Sequence, residues 1–441
     1  MYQFFLEKIL LRLLSVIRND SFLNELHSMR NIVHYDSDKL IALQRRKLNS
    51  LIRHSVDNVP FYREVFKAKS LNRFTINDFP IINKAILRDS QEELISDTVK
   101  ISNLLRHKSS GSSGEQSEVF WSKREQSIHR ATQILWWEWA GYKIGKPILQ
   151  TGINPKRTFE KKIKDILFRT KYLQAFSHSE NEVINALSFT KNGDVFLAGY
   201  PSSLYVISEI AEKYDIDVNF DGAVCWGDKL FDHYKKKIDK DFNVNIKETY
   251  GCAEGLMIAA QLDLNYMYIM TPNVYIEIID DNGREVEDGQ IGNVVVTNLN
   301  SYAMPLIRYR IGDLAIKLPS NMYPAERKLQ LPLLQKVVGR DTDIVKTPNG
   351  KYLVVHSFTG IFEHYSQIKQ FCVIQNDLSG ITIKIIPGES NIGSVLDEIK
   401  NKLQEITDKS FIVDFEIVNK IDSTPSGKPQ IIQSFLSKSN I

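Results

Sequence analysis

The sequence predicts an α/β protein in three parts: a helical leader, a large layered α/β domain and a small α+β domain at the C-terminus. Apolar residues recur at helical spacing through Leu40, Ile41, Leu43, Leu48, Leu51 and Ile52. From about residue 100 to 340 the pattern changes to β-rich runs separated by helical or turn-rich segments. The last hundred residues alternate short strands with one helix. A chain of 441 residues also exceeds what one hydrophobic core organises. The expected boundaries are 1–100 for a leader packed on the large domain, 101–338 for the rest of that domain, and 339–441 for the small domain, which begins at Gly339-Arg340.

Within the leader, Phe4, Phe5, Leu6, Ile9, Leu10, Leu11, Leu13, Leu14, Val16 and Ile17 form an apolar stretch broken by Glu7, Lys8 and Arg12 and bounded by Arg18. It is too short and too charged to span a bilayer. The leading reading is an amphipathic helix packed on the body; the second is a helix lying on the inner membrane surface. Val59-Pro60-Phe61-Tyr62 interrupts the helical pattern further on. Strands are expected at Asp194-Val-Phe-Leu-Ala, Gly222-Ala-Val-Cys-Trp, Val274-Tyr-Ile-Glu-Ile-Ile and Gly292-Asn-Val-Val-Val-Thr. Asp280-Asp-Asn-Gly283 reads as a hairpin turn, because Asn-Gly accepts positive φ. In the small domain the pattern places strands near 371–375, 381–386 and 411–418 and a helix near 393–406. Trp136, Trp137 and Trp139 point in several directions on a helix, so they read as core packing before they read as a pocket for an aromatic acid.

Composition excludes several classes. Lys and Arg (56) nearly balance Asp and Glu (53), which gives no reason to expect a nucleic-acid partner. Hydrophobic residues at 43% and charged residues at 25% argue against disorder and fibrous repeats. Cys225, Cys252 and Cys372 lie far apart and show no ligand spacing, so neither a disulfide framework nor a zinc site is expected, and a reducing cytoplasm fits.

Ser109-Ser-Gly-Ser-Ser-Gly114 is the first run with a mechanism: two glycines let the backbone approach an anion, and four hydroxyls donate to phosphate oxygens. The same composition also makes a plain flexible loop. It lacks the lysine of a Walker A loop and the spacing of a Rossmann fingerprint. Downstream, in order, come Glu248-Thr-Tyr-Gly-Cys-Ala-Glu254, Tyr309-Arg-Ile-Gly-Asp313, Gly339-Arg340 and Ser426-Gly-Lys428.

This ordered set resembles the adenylate-forming superfamily. Val59-Pro-Phe-Tyr-Arg63, Gly199-Tyr-Pro-Ser-Ser-Leu204 and Ala303-Met-Pro-Leu-Ile-Arg-Tyr-Arg310 resemble its phenylacetate-CoA ligase-like family, nearest to the capsular-polysaccharide biosynthesis branch. The resemblance implies ATP-dependent activation of a carboxylic acid to an acyl-adenylate, followed by transfer of the acyl group to CoA or, in the capsule-like branch, to an amine on a sugar or amino acid. Ser109, Ser110, Gly111, Ser112, Ser113 and Gly114 would then cradle phosphate, while Thr249, Tyr250 and Gly251 flank the adenine. Glu254 would hold Mg²⁺, Asp313 would accept from both ribose hydroxyls, and Arg340 would contact ribose or phosphate at the hinge. Lys428 would reach the α-phosphate and carboxylate as charge builds. Cys252 would be a small packing residue beside the site.

The chain departs from the family pattern in three places. Thr342 stands where the hinge usually carries a charged residue. Gln261, Asp263, Tyr266 and Tyr268 replace the Cys and His residues some relatives have. Asp228 stands where Glu is common, either lining the site or ending a strand. Two rivals to a ligase are an inactive scaffold of the same fold and a simple ATP hydrolase.

Overall fold

The structure, a computed structural model, describes residues 2–18, 20–67, 74–108, 118–152, 158–175, 179–190, 194–340, 344–348, 352–362, 364–365, 367–388, 392–407, 411–421 and 431–436. The Ser/Gly run 109–114, Thr342 and Lys428 lie outside these residues, as does the side chain of Arg340.

Helices fill the leader. Tyr2–Phe5 and Leu11–Arg18 are joined through a π-helical turn at Leu6–Leu10, and Phe22–Ile32, Ser37–Asn58, Pro60–Phe66 and Lys84–Asp89 follow. Asp36 starts the longest of these by accepting from the Lys39 amide at 2.9 Å. The interruption at Val59-Pro60 is a junction. Val59 is extended and closes one helix, and Pro60, which lacks an N–H to lose, opens the next.

A hairpin of β1 (Leu105–Lys108) and β2 (Glu118–Trp121) leads into the body. Then come β3 (Ile148–Gly152), β4 (Thr170–Gln174), β5 (Phe196–Gly199), β6 (Gly222–Cys225) and β7 (Lys247–Gly251), which pair in parallel in the order β4-β3-β5-β6-β7. Parallel neighbours need crossovers, and the helices Phe159–Leu167, Glu180–Ser188, Pro201–Lys213 and Asp232–Asp241 lie between them in the chain. The sheet continues antiparallel through β8 (Met257–Gln261), β9 (Met267–Ile269), β10 (Val274–Ile279), β11 (Ile291–Asn298), β12 (Tyr309–Lys317) and β13 (Leu333–Arg340), in the order β7-β8-β9-β13-β12-β11-β10.

The turn after β10 falls where the sequence puts it, with one difference. Only Gly283 takes positive φ (+77°). Asp280 Oδ1 instead organises the turn by accepting from the Asn282 and Arg284 amides at 2.9 and 2.8 Å.

The leader is built into the antiparallel half. Tyr62 is fully buried; its hydroxyl donates to the Pro305 carbonyl at 3.1 Å and accepts from the Ile307 amide at 3.2 Å. Ile82 brackets β12 by donating to the Arg308 carbonyl and accepting from the Arg310 amide at 3.0 and 2.7 Å. Arg308, itself at φ +52°, is buried with Glu277, Nη2 to Oε1 at 2.9 Å, and donates to the Phe79 carbonyl.

The C-terminal residues have their own core, drawn from positions between Val345 and Ile432. A two-stranded hairpin, β14 (Ile344–Lys346) and β15 (Tyr352–Val354), precedes the helix Val355–Phe362. The strands β16 (Ile368–Asp377), β17 (Gly380–Pro387), β18 (Ile412–Ile417) and β19 (Ile432–Ser434) form a sheet in the order β18-β17-β16-β19, and the helix Gly393–Ile406 precedes β18.

Candidate functional site

All five parallel strands point their carboxyl ends toward one edge, where open α/β sheets bind ligands. Beyond β5, the Tyr200 amide donates to Thr151 Oγ1 at 3.1 Å. Past β6, Gly227 holds φ +88°, and a Cβ there would stand 2.4 Å from the Tyr200 ring, so the loop Trp226-Gly227-Asp228 lies against that tyrosine. Asp228 accepts from the Ser202 hydroxyl. Trp137 stacks on Trp226 with centroids 5.8 Å apart, while Trp136 is buried in the core. Both tryptophans belong to one buried core, and Trp137 also touches Tyr142 and Phe196 there.

Strand β7 is the joint between the two halves. Thr249 Oγ1 donates to the Cys225 carbonyl at 3.0 Å, tying β7 to the end of β6. Tyr250 and Gly251 end the strand, and the Cys252 amide donates to the Leu256 carbonyl at 3.0 Å across the turn that presents Glu254. Gly255, at φ +88°, has no room for a side chain, because a Cβ would fall 2.1 Å from the Trp121 ring. Cys252 packs beside this turn, its thiol pushed well up by burial first and by the Glu254 carboxylate second.

Two tyrosine–carboxylate contacts join the halves. The Tyr250 hydroxyl donates to Asp313 Oδ2 at 2.8 Å, and the Tyr309 hydroxyl donates to Glu254 Oε1 at 3.1 Å. Burial, then the Glu254 charge, pushes the Tyr309 phenol far above its ordinary range, so it stays a donor. Gly312, at φ +87°, lies in a stretch where the register of β12 against β11 shifts, so Gly312-Asp313 belongs to a bulged strand and not to an isolated turn. Asp313 stands opposite Arg340 in the β12–β13 ladder. The structure thus brings Thr249, Tyr250, Gly251, Glu254, Asp313 and the backbone of Arg340 to one region.

Ser109–Gly114 is approached only through its stems. Lys108 pairs with Glu118, the ladder is pinned by Arg106 on Glu118 at 2.5 and 2.6 Å, and its last residue is the Trp121 that lies under Gly255. Trp121 stands opposite Leu105, so it is the end of the hairpin away from the Ser/Gly run that lies beside the Glu254 turn.

Sequence reasoning missed Tyr309 as the partner of Glu254. It also missed a stack of His107 on Trp121 at 3.8 Å with His129 5.1 Å beyond, where burial holds His129 down to about 4. Glu248 carries no signal in the sequence beyond its place at the start of the Glu248–Glu254 run. Its carboxyl is pushed up to about 7 by burial, against the pull of Lys229 and Lys235. Lys229 in turn reaches the Val338 carbonyl at 3.3 Å, two residues before Arg340. No local pattern announces these contacts, since their partners lie on other elements of the fold.

Among the described residues no group of three or more His, Cys, Asp and Glu is arranged to hold a metal ion. A divalent cation at Glu254 would draw its other ligands from phosphate and water, which suits Mg²⁺. Gln261 and Tyr268 are engaged in strand contacts, with the Glu248 amide and with Asp263 respectively.

The fold is that of the adenylate-forming CoA ligases. Over 92% of this chain and 91% of the other, it superposes on 2-hydroxyisobutyryl-CoA ligase in the postadenylation state with R3-HIB-AMP, at a TM-score of 0.68 and 15% identity. Residues 343–434 match the family described as the CapK C-terminal domain. At the level of sequence the chain is similar to Protein CapK of Staphylococcus aureus, 23% identical over 89% of each chain. It is also similar to phenylacetate-coenzyme A ligase of Pseudomonas putida, 25% identical over 70% of this chain and 72% of the relative.

Proposed function

We propose that this protein is an ATP-dependent ligase that converts a carboxylic acid to an acyl-adenylate with release of pyrophosphate and then passes the acyl group to CoA. The observation that carries the reading is the pair of carboxylates, Glu254 and Asp313, each oriented by a buried tyrosine hydroxyl where the parallel strand ends meet β12. Asp313 would take the ribose hydroxyls, with Tyr250 fixing its carboxylate. Glu254 would hold Mg²⁺, whose chemistry is to neutralise charge on the phosphates. Thr249 to Gly251 would flank the adenine, the Ser109–Gly114 run would receive phosphate oxygens, and Lys428 would donate to the α-phosphate and the attacking carboxylate. In this reading residues 339–441 form a lid that turns about Arg340, so Lys428 serves the first half-reaction only. The same neighbouring ligase gives a TM-score of 0.68 in its postadenylation state and 0.57 in its thioesterification state, a difference that supports a body and lid that change their relation.

A second reading, acylation of an amine on a sugar or amino acid for a surface polysaccharide, is favoured by similarity to CapK over 89% of both chains. The test is pyrophosphate exchange into ATP against a panel of aryl, acyl and amino acids, with the activated product then offered to CoA and to amino sugars. Exchange that depends on an added acid is expected, and Lys428→Ala should lower it by roughly 10²- to 10³-fold while leaving transfer from pre-made acyl-adenylate within a few-fold of the parent. Phosphate release that needs no acid would sink the ligase reading, and equal loss in both half-reactions would sink the turning lid.

A further inference from the structure

The N-terminal helices carry two apolar faces, and only one is used. Leu6 is fully buried and Leu10 and Leu11 pack behind it, in a cluster that includes Leu26, Met29 and Trp136. The opposite face recurs every four residues and stays in solvent: Phe4, Phe5, Ile9, Leu13, Val16 and Ile17, the last two 81% and 78% exposed, with Lys8 and Arg12 set among them. A second amphipathic helix, Phe159–Leu167, abuts the first. The Tyr2 hydroxyl donates to the Leu167 carbonyl, and the Arg169 guanidinium lies 5.9 Å from the centroid of the Tyr2 ring. That helix exposes Phe159 and Ile166 at 78% each and Ile163 at 50%. Among the described side chains of both segments, every exposed charge is basic: Lys8, Arg12, Lys162, Lys164 and Arg169.

Apolar faces of this size on two neighbouring helices are not what a free protein surface normally shows. A second copy placed against the patch by a twofold axis would set basic residues against basic residues. Anionic lipid headgroups complement both features, taking the cations at the phosphate level and the Phe, Leu and Ile side chains at the acyl boundary. No helix among the described residues is long and apolar enough to cross a membrane. We infer that this face is a peripheral docking surface for an anionic phospholipid bilayer, formed jointly by residues 2–18 and 159–169, with both helices lying in the interface. The inference is independent of the proposed reaction, because none of these residues belongs to the candidate site.

The experiment is sedimentation of the full chain with vesicles of phosphatidylcholine, with and without about 30% phosphatidylglycerol. Binding to the anionic vesicles is expected, at least tenfold above neutral ones and weakened by 0.5 M salt. The double variant Phe159→Ser/Ile166→Ser should reduce it about tenfold, and Val16→Ser/Ile17→Ser should do the same, with circular dichroism unchanged. Using two variants on separate helices separates loss of docking from loss of folding. Absence of binding to anionic vesicles by the folded parent would overturn the inference. So would a dimer in sedimentation velocity that both variants dissociate, which would assign the face to a second copy.

Discussion

The parallel and antiparallel halves of the large sheet build the same site by different means. From β3 to β6 the contribution is mainly backbone: strands end together, and glycines such as Gly227 let the loops close on aromatic rings. From β8 to β13 the contribution is side chains on a bulged strand, and these are held from behind by leader residues more than two hundred positions away, as in Tyr62 to Pro305. The contrast teaches that strand ends in a parallel sheet converge by topology alone, whereas a side-chain site on an antiparallel strand needs something packed against it to fix its geometry. The leader does that here.

Four measurements sharpen or break this contrast. The largest effect is expected at Arg308, whose removal leaves Glu277 buried without its cation. Arg308→Leu should cost about 3–5 kcal/mol in denaturant unfolding, and the double variant with Glu277→Met should recover most of it. A single-variant loss below about 1 kcal/mol would mean that β10 and the entry to β12 are not energetically joined through this pair. Next comes Asp313→Ala, which should weaken ATP binding in calorimetry by about 1–3 kcal/mol while carboxylic-acid binding changes little; equal losses would deny Asp313 a nucleotide role.

On the parallel side, Gly227→Ala forces an L-residue into φ +88° and against Tyr200, at a cost of about 1–2 kcal/mol in stability. An unchanged melting curve would show that the loop yields freely. Smallest is the pH effect of Glu248 at the joint. Its folded carboxyl sits near 7 against an ordinary 4.5, so the folded chain binds this proton more tightly than the unfolded one. The stability it contributes is complete below pH 4.5 and is lost as pH rises through 7, with a slope of at most about 1.4 kcal/mol per pH unit. Glu248→Gln should flatten stability across that window, and parallel profiles for parent and variant would remove Glu248 from the joint.

The parts legible in the sequence are those set by local pattern. The strand Val274–Ile279 and the helix Gly393–Ile406 occur where period and turn residues place them, because both signals lie within the segment itself. Motif order also led to Tyr250, Glu254 and Asp313, which the structure brings into one region. Hidden from the sequence were β12 and β13, where bulges break the two-residue alternation, and the Tyr309 hydroxyl on Glu254, which depends on two strands meeting. Glu248 reads as an ordinary carboxylate until the fold buries it. The apolar N-terminal stretch was legible as amphipathic, but its second apolar face became visible only once the first was packed.

The bond from Tyr62 to Pro305 has a consequence for how the protein is made. Its two ends are 243 residues apart, so at 5 to 20 residues per second the ribosome releases the tyrosine roughly 10 to 50 s before its partner exists. During that interval Tyr62, Phe79 and Ile82 have no strand to cover. The nascent chain must shelter them until β12 emerges, so a segment made well before its partner is completed only when that partner arrives.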